Sequence, residues 1–253
     1  MQIEKWKKLI AQRNRKQANG KRKKARKSER WEIMNKQRLS KKVVLSLILC
    51  GILVALILNY QTILIEAGRY LAPEGNGEAD IVIIEGGELV KEKAVEVGLA
   101  FLASNRVKGI IIVSQQNGKN GENFGLPNYN LLVANKLEIY GIRNSQFRII
   151  NVPIEHPITL IEARIVLEKI AQDGIKRAIL VAPGFHTRRS YWAYKQLGSS
   201  LGLEIIPHPI FIKFKRDNWW QHNQGLREFA GESLKFFYYL LRGYIPVKSL
   251  LVT

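Results

Sequence analysis

Cysteine is almost missing from this chain: 253 residues contain one, Cys50. An intrachain disulfide and a cysteine-built zinc site are therefore excluded. Acidic residues are scarce at the start, where residues 1–42 hold 17 Lys or Arg against Glu4, Glu29 and Glu32. That segment alone carries +14 of the formal net charge of +19. Charge of either sign then vanishes from Val43 to Leu58, where Ser46 and Cys50 are the mildly polar members. Two glycine signatures are also absent: there is no G-x-G-x-x-G for a dinucleotide and no G-K-[ST] ending for a nucleotide phosphate loop. Gly198-Ser199-Ser200-Leu201-Gly202 has the G-x-S-x-G spacing, but it ends a helical stretch instead of following a strand, so it is no elbow for a serine nucleophile.

What is present begins with Val43–Ile65, VVLSLILCGILVALILNYQTILI. A helix rising 1.5 Å per residue carries this stretch roughly 34 Å, enough to cross a bilayer core. A buried core helix is the rival, yet a soluble helix keeps a polar face and none is visible before Asn59. The Lys/Arg excess in 1–42 places that side in the cytoplasm and everything after Ile65 beyond the cytoplasmic membrane. A cleaved signal peptide has the same general form. The basic region is long, however, and no small-x-small cleavage site stands before Pro73, which favours an uncleaved single-pass anchor. The tail itself is expected to stay loose in isolation and to grip anionic lipid. Clustered Lys/Arg is also the footprint of phosphate-backbone contact, but no folded reading module accompanies it, so nucleic acid is disfavoured.

A connector, 66–78, ends in the turn-rich Pro73-Glu74-Gly75-Asn76-Gly77-Glu78. An outer domain, 79–253, follows with 175 residues, ample for one core. Short apolar β-branched runs at 80–84, 109–113, 147–151, 178–181 and 203–206 alternate with helical stretches near 88–105, 131–140, 159–172, 187–201 and 225–242. Strands apolar on both faces, separated by amphipathic helices, indicate a parallel sheet covered on both sides. The fold class is thus α/β: a Rossmann-like, doubly wound, three-layer sheet preceded by one transmembrane helix. Such sheets bind ligands beyond the carboxyl ends of their strands.

The loops at those ends carry the candidate residues. Gly86 and Gly87 follow the first strand and let backbone approach a ligand closely. Ser114 ends the second, and the polar, glycine-rich 117–130 is a rim, a lid or a plain surface loop. After the fourth strand, Gly184-Phe185-His186-Thr187-Arg188-Arg189 places a cap residue, Thr187, and two arginines at a helix start, an anion site. His186 there can serve as acid, base or hydrogen-bond donor. Thr159 and Glu162 lie near the same edge, and Glu162 is a carboxylate partner for His186. Three histidines, His156, His186 and His208, follow successive strands, but no short ligand spacing supports a metal.

Together these positions resemble the ElyC/SanA/YdcF family of domains of unknown function across roughly 79–243. The matching residues are Gly86-Gly87, Ser114, Thr159 with Glu162-Ala163, His186 with Arg189, and Arg227-Glu228. The basic start plus one membrane helix is similar to the SanA-like members. The resemblance implies a Rossmann-like fold and a role in cell-envelope or peptidoglycan-precursor maintenance, with no agreed reaction. Ser114-Gln115-Gln116 departs from the family's Ser-Gly-Gly, Ala182-Pro183 from its Thr-Ser, and Thr159-Leu160-Ile161-Glu162 from its Thr-x-Glu-Asn. Two functions follow as expectations. In one, the pocket binds a phosphorylated metabolite or lipid-linked glycan precursor, with Gly86 and Gly87 admitting it, His186 and Glu162 as the catalytic pair, and Ser114, Thr159, Arg188 and Arg189 as binding residues. In the other, the pocket is degenerate and aromatic surface near Trp219-Trp220 or Phe236–Tyr239 contacts a partner or the membrane.

Overall fold

The computed structural model describes residues 2–86, 92–116 and 129–251. It divides into two units, Met1–Tyr60 and Gln61–Thr253. The first unit is the greater part of one helix, α1 (Gln2–Leu71), so the tail expected to be loose is helical. Within α1, Lys42–Leu71 is long and apolar enough to cross a membrane, and its side chains from Val43 to Tyr60 are exposed.

The second unit is built on five parallel strands: β1 (Ile81–Ile84), β2 (Gly109–Gln116), β3 (Phe147–Pro153), β4 (Arg177–Pro183) and β5 (Glu204–Ile210). Their order, β3-β2-β1-β4-β5, is doubly wound, as the alternating pattern requires. The strand period of two sorts the apolar side chains to opposite faces. Ile81 and Ile83 of β1 join Ile111, Val113 and Leu180 in packing against α4 (Ile158–Ala171) and α5 (Thr187–Ser200). Val82 and Ile84 join Ile110, Ile112 and Val181 against α2 (Glu92–Ala103) and α3 (Tyr129–Ile139). A last helix, α6 (Asn223–Leu241), closes the carboxyl side of the sheet near the loop after β4.

The connector differs from its sequence reading. Instead of ending at Ile65, the helix runs on to Leu71, and its final turns pack into the body. Leu64, Tyr70, Leu71 and Ala72 meet Phe185, Phe214 and Trp219 in an aromatic cluster. Trp219 Nε1 donates to the Leu64 carbonyl at 2.9 Å, and Arg216 Nη1 to that of Ala72 at 3.2 Å. Gly68 makes this possible: a Cβ there would lie 2.7 Å from the Arg216 carbonyl oxygen. The apolar aromatics of the C-terminal third, not hydropathy near residue 66, decide where the helix stops.

Close approach also fixes the start of α6. A Cβ on Gly225 would lie 2.2 Å from the Trp219 carbonyl oxygen. Gly225→Ala is therefore expected to destabilise the body by about 1–3 kcal/mol through overpacking, measured by urea unfolding; an unchanged midpoint would show that α6 does not need this contact.

Candidate functional site

In this strand order the sheet's switch point lies between β1 and β4, and their loops meet there. The loop after β1 opens with Glu85 and Gly86, both buried. Gly86 is required because a Cβ would fall 1.9 Å from the Val113 carbonyl oxygen and 3.6 Å from the Ser114 amide. The need is approach to the neighbouring strand rather than an unusual φ. Gly87, nominated with it, lies outside the described residues, as does most of the 117–130 loop.

The loop after β4 is a short 3-10 turn, Gly184–His186, that runs straight into α5. Gly184 takes φ +37°, a left-handed value that glycine accepts without strain. Phe185 turns into the aromatic cluster, with Phe211, Phe214, Trp219 and Phe229 around its ring. His186 is a neighbour of the sheet end and is 19% exposed at its side chain. Thr187 does not cap α5 as its position suggests; its hydroxyl donates back to the Gly184 carbonyl at 2.7 Å.

Two carboxylates hold the imidazole. His186 Nε2 lies 3.3 Å from Glu85 Oε1 and Nδ1 lies 3.4 Å from Glu232 Oε2. Arg189 Nη2 is 2.8 Å from the same Nδ1. A guanidinium only donates, so Nδ1 can accept from Arg189 as a neutral ring or donate to Glu232 as an imidazolium. Burial is the largest influence and opposes the charge, but the negative charge of Glu85 and the hydrogen bonds to Glu232 and Glu85 together outweigh it and lift the His186 pKa to about 9. The imidazolium is thus the neutral-pH form. Glu85 in turn stays ionised despite burial, because His186 lies beside it and the Ser190 hydroxyl donates to its Oε1. Its second oxygen is buried with no hydrogen-bond partner among the described residues.

Arg189 is held on every side. Nη1 donates to Thr159 Oγ1 at 2.6 Å, Nε and Nη2 donate to Glu232 Oε2 at 3.2 and 2.9 Å, and the Tyr239 ring lies 4.9 Å from its guanidinium carbon. Glu162 sits deeper. It accepts from Gln115 Nε2 at 2.7 Å and Tyr194 Oη at 3.2 Å. Burial, then the neighbouring Glu85 charge, push its pKa up to about 8, so it keeps a proton at neutral pH.

A cavity of about 540 Å³ opens over this cluster, lined among others by Gly86, Gln115, Thr159, His186, Glu232 and Tyr238. A second, of about 480 Å³, shares Pro183, His186, Glu232 and Lys235 and adds Gln224, Arg227 and Glu228.

The structure therefore gathers Gly86, Thr159, His186 and Arg189 as the sequence suggests, with Ser114 buried beside Gly86. Two assignments are corrected. Glu162 does not orient His186; Glu85 and Glu232 do, while Glu162 binds Gln115 and Tyr194. Arg188 lines neither cavity. It donates to the carbonyls of Tyr70 and Ser249 and lies 3.5 Å over the Tyr70 ring, fastening the end of α1 to the C-terminal turn. The histidines do not converge either, for His208 packs edge-on to Phe101 and lies 3.6 Å from Glu74. Among the described residues no three His, Cys, Asp or Glu side chains are grouped to hold a metal ion.

Glu85 and Glu232 were the residues that sequence reasoning passed over. Glu85 is legible as the one charge ending an all-apolar strand. Glu232 belongs to a polar stripe, Gln224, Glu228, Glu232 and Lys235, spaced four, four and three on a helix whose C-terminal half is rich in aromatics. No protein-family model, curated protein or solved structure matches the chain. The resemblance to the ElyC/SanA/YdcF family thus rests on the sequence positions alone.

Two outcomes are expected from this geometry. Glu162 is protonated in the folded state, so its contribution is complete below its ordinary pKa of 4.5 and disappears as pH climbs through about 8. Glu162→Gln removes that dependence. Its Tm advantage over the wild type should grow from nothing near pH 4.5 to about 3 °C or more at pH 8; parallel Tm curves would refute a raised pKa. Arg188→Met should cost about 2–4 kcal/mol by removing its hydrogen bonds to the half-buried Tyr70 and buried Ser249 carbonyls, read by chemical denaturation, without altering the pKa of His186 measured by NMR.

Proposed function

We propose that the chain is a membrane-anchored cell-envelope protein whose switch-point pocket binds an anionic ligand, a phosphorylated metabolite or the glycan portion of a lipid-linked precursor. One observation carries this reading: the His186 ring, held between two carboxylates at the mouth of a ligand-sized cavity. Beside it stand Lys235 and Arg189. Arg189 remains bound to Glu232 and Thr159 and acts as a positioning residue, while Lys235 offers a hydrogen-bond donor to the anion and His186, whose two N–H groups face Glu85 and Glu232, offers its positive charge. Tyr238, Tyr239 and Ile158 supply an apolar wall against which a sugar ring can lie, and Gln115 and Thr159 supply polar contacts. The two adjoining cavities suit an elongated ligand that passes over His186. The matching positions of the ElyC/SanA/YdcF-like pattern point to the same envelope role. In this reading the basic start faces the cytoplasm and the body lies beyond the membrane.

A non-enzymatic interaction protein is the second reading, and α6 favours it. Leu234, Phe237, Tyr238 and Leu241 are 72%, 55%, 52% and 87% exposed along its C-terminal half. That apolar strip is a candidate face for another protein. Trp219, Phe236 and Tyr239, by contrast, are buried core.

Thermal-shift titration of the full chain with sugar phosphates and nucleotide sugars separates the readings. A ligand should raise Tm, and His186→Ala should weaken its binding about 10–100-fold by removing a positive charge at the cavity mouth. Equal affinity in a folded His186→Ala variant would sink the first reading. The placement has its own check: a phosphatase reporter fused after Thr253 should be active and a fluorescent one dark, and the reverse pattern would place the body in the cytoplasm.

A further inference from the structure

We infer that the loop between β5 and α6, residues 211–222, is an interfacial segment that seats the body on anionic lipid headgroups. The inference rests on reading Lys42–Leu71 as a membrane span. Its residues mix aromatic or apolar with basic ones, Phe211, Ile212, Lys213, Phe214, Lys215, Arg216 and then Trp219-Trp220, and its one acid, Asp217, lies 3.7 Å from Arg69 and 3.9 Å from Arg216. The structure divides them by direction. Phe214 and Trp219 are buried against the end of α1. Ile212 is 56% exposed, and Lys213 and Lys215 are exposed with no acidic partner among the described residues. Arg216 differs, lying 3.3 Å from Glu74.

Depth follows from the register of α1. The hydrogen bond from Trp219 Nε1 is to Leu64, the middle residue of the last apolar triplet, Ile63-Leu64-Ile65. At 1.5 Å per residue Leu64 lies about 32 Å from Val43 along the helix, close to the roughly 30 Å of a hydrocarbon core. The loop then follows α1 from Leu64 to Ala72, as the contacts of Trp219 and Arg216 show. A loop tied to the point where the apolar run ends is held at headgroup level, the depth at which indole rings and lysines are favoured. Unpaired lysines there select anionic over zwitterionic lipid, each by about fivefold.

The experiment uses the full chain in nanodiscs. A spin label on native Cys50 reports the span. In a Cys50→Ser background, labels at Ile212→Cys and Glu168→Cys report the loop and a distant exposed control on α4. Power saturation should find Cys50 accessible to oxygen, Ile212 shielded from an aqueous nickel chelate, and Glu168 open to it. A nickel-accessible Cys50 overturns the span, whereas a deep Cys50 with Ile212 as open as Glu168 overturns the loop alone. Amide exchange over 211–218 should slow at least about threefold on adding about 30% phosphatidylglycerol to phosphatidylcholine discs. Lys213→Glu/Lys215→Glu, both at exposed positions, should abolish that slowing. Equal exchange in the two lipids would overturn the headgroup preference.

Discussion

A carboxylate buried at the end of the central strand sets the terms for everything around it. Glu85 leaves β1 at the switch point with almost no access to water, where an unpaired charge is costly. His186 meets that charge from the β4 loop, and Ser190 meets it from α5. Glu232 on α6 then answers the imidazolium so formed and the guanidinium of Arg189. The compensation therefore recruits β1, β4, α5 and α6 in turn. Glu162 lies close enough to feel Glu85, and it holds its proton because a second buried carboxylate beside the first cannot ionise cheaply.

The same chain of charges brackets a pH range. Imidazolium formation contributes stability that is complete below the ordinary histidine pKa of 6.5 and fades as pH rises through about 9. Glu85 and Glu232, both held below their ordinary values, contribute stability present above about 4.5 and lost as pH falls through their folded pKa values. The cluster is thus most favourable between these limits. Its imidazole also has two alternative partners at Nδ1, so a change in its protonation redistributes hydrogen bonds between Arg189 and Glu232.

Strand existence was legible because β-branched apolar runs separated by glycine and polar turns leave few alternatives. The all-parallel arrangement followed from runs that are apolar on both faces. Gly86, Thr159, His186 and Arg189 were legible through their places at strand ends, a topological argument. What failed was finer. Arg188 and Arg189 are adjacent in sequence and chemically alike, yet about 100° apart on a helix, so one turns to Tyr70 and the other to the pocket. Glu232 is not legible as a partner of His186, because its place depends on how α6 crosses the sheet. The last turns of α1 were assigned to a connector for a similar reason: their burial depends on aromatics some 150 residues later.

Those two arginines have a consequence for how the body comes apart. The first turn of α5 simultaneously secures Tyr70, Ser249, Thr159 and Glu232. Fraying that turn releases the tail of α1, the C-terminal turn and the histidine cluster at once. They behave as a single cooperative opening unit rather than as three independent ones, and a bound anion would slow amide hydrogen exchange as far away as the end of α1 and the C-terminal turn, which Arg188 holds.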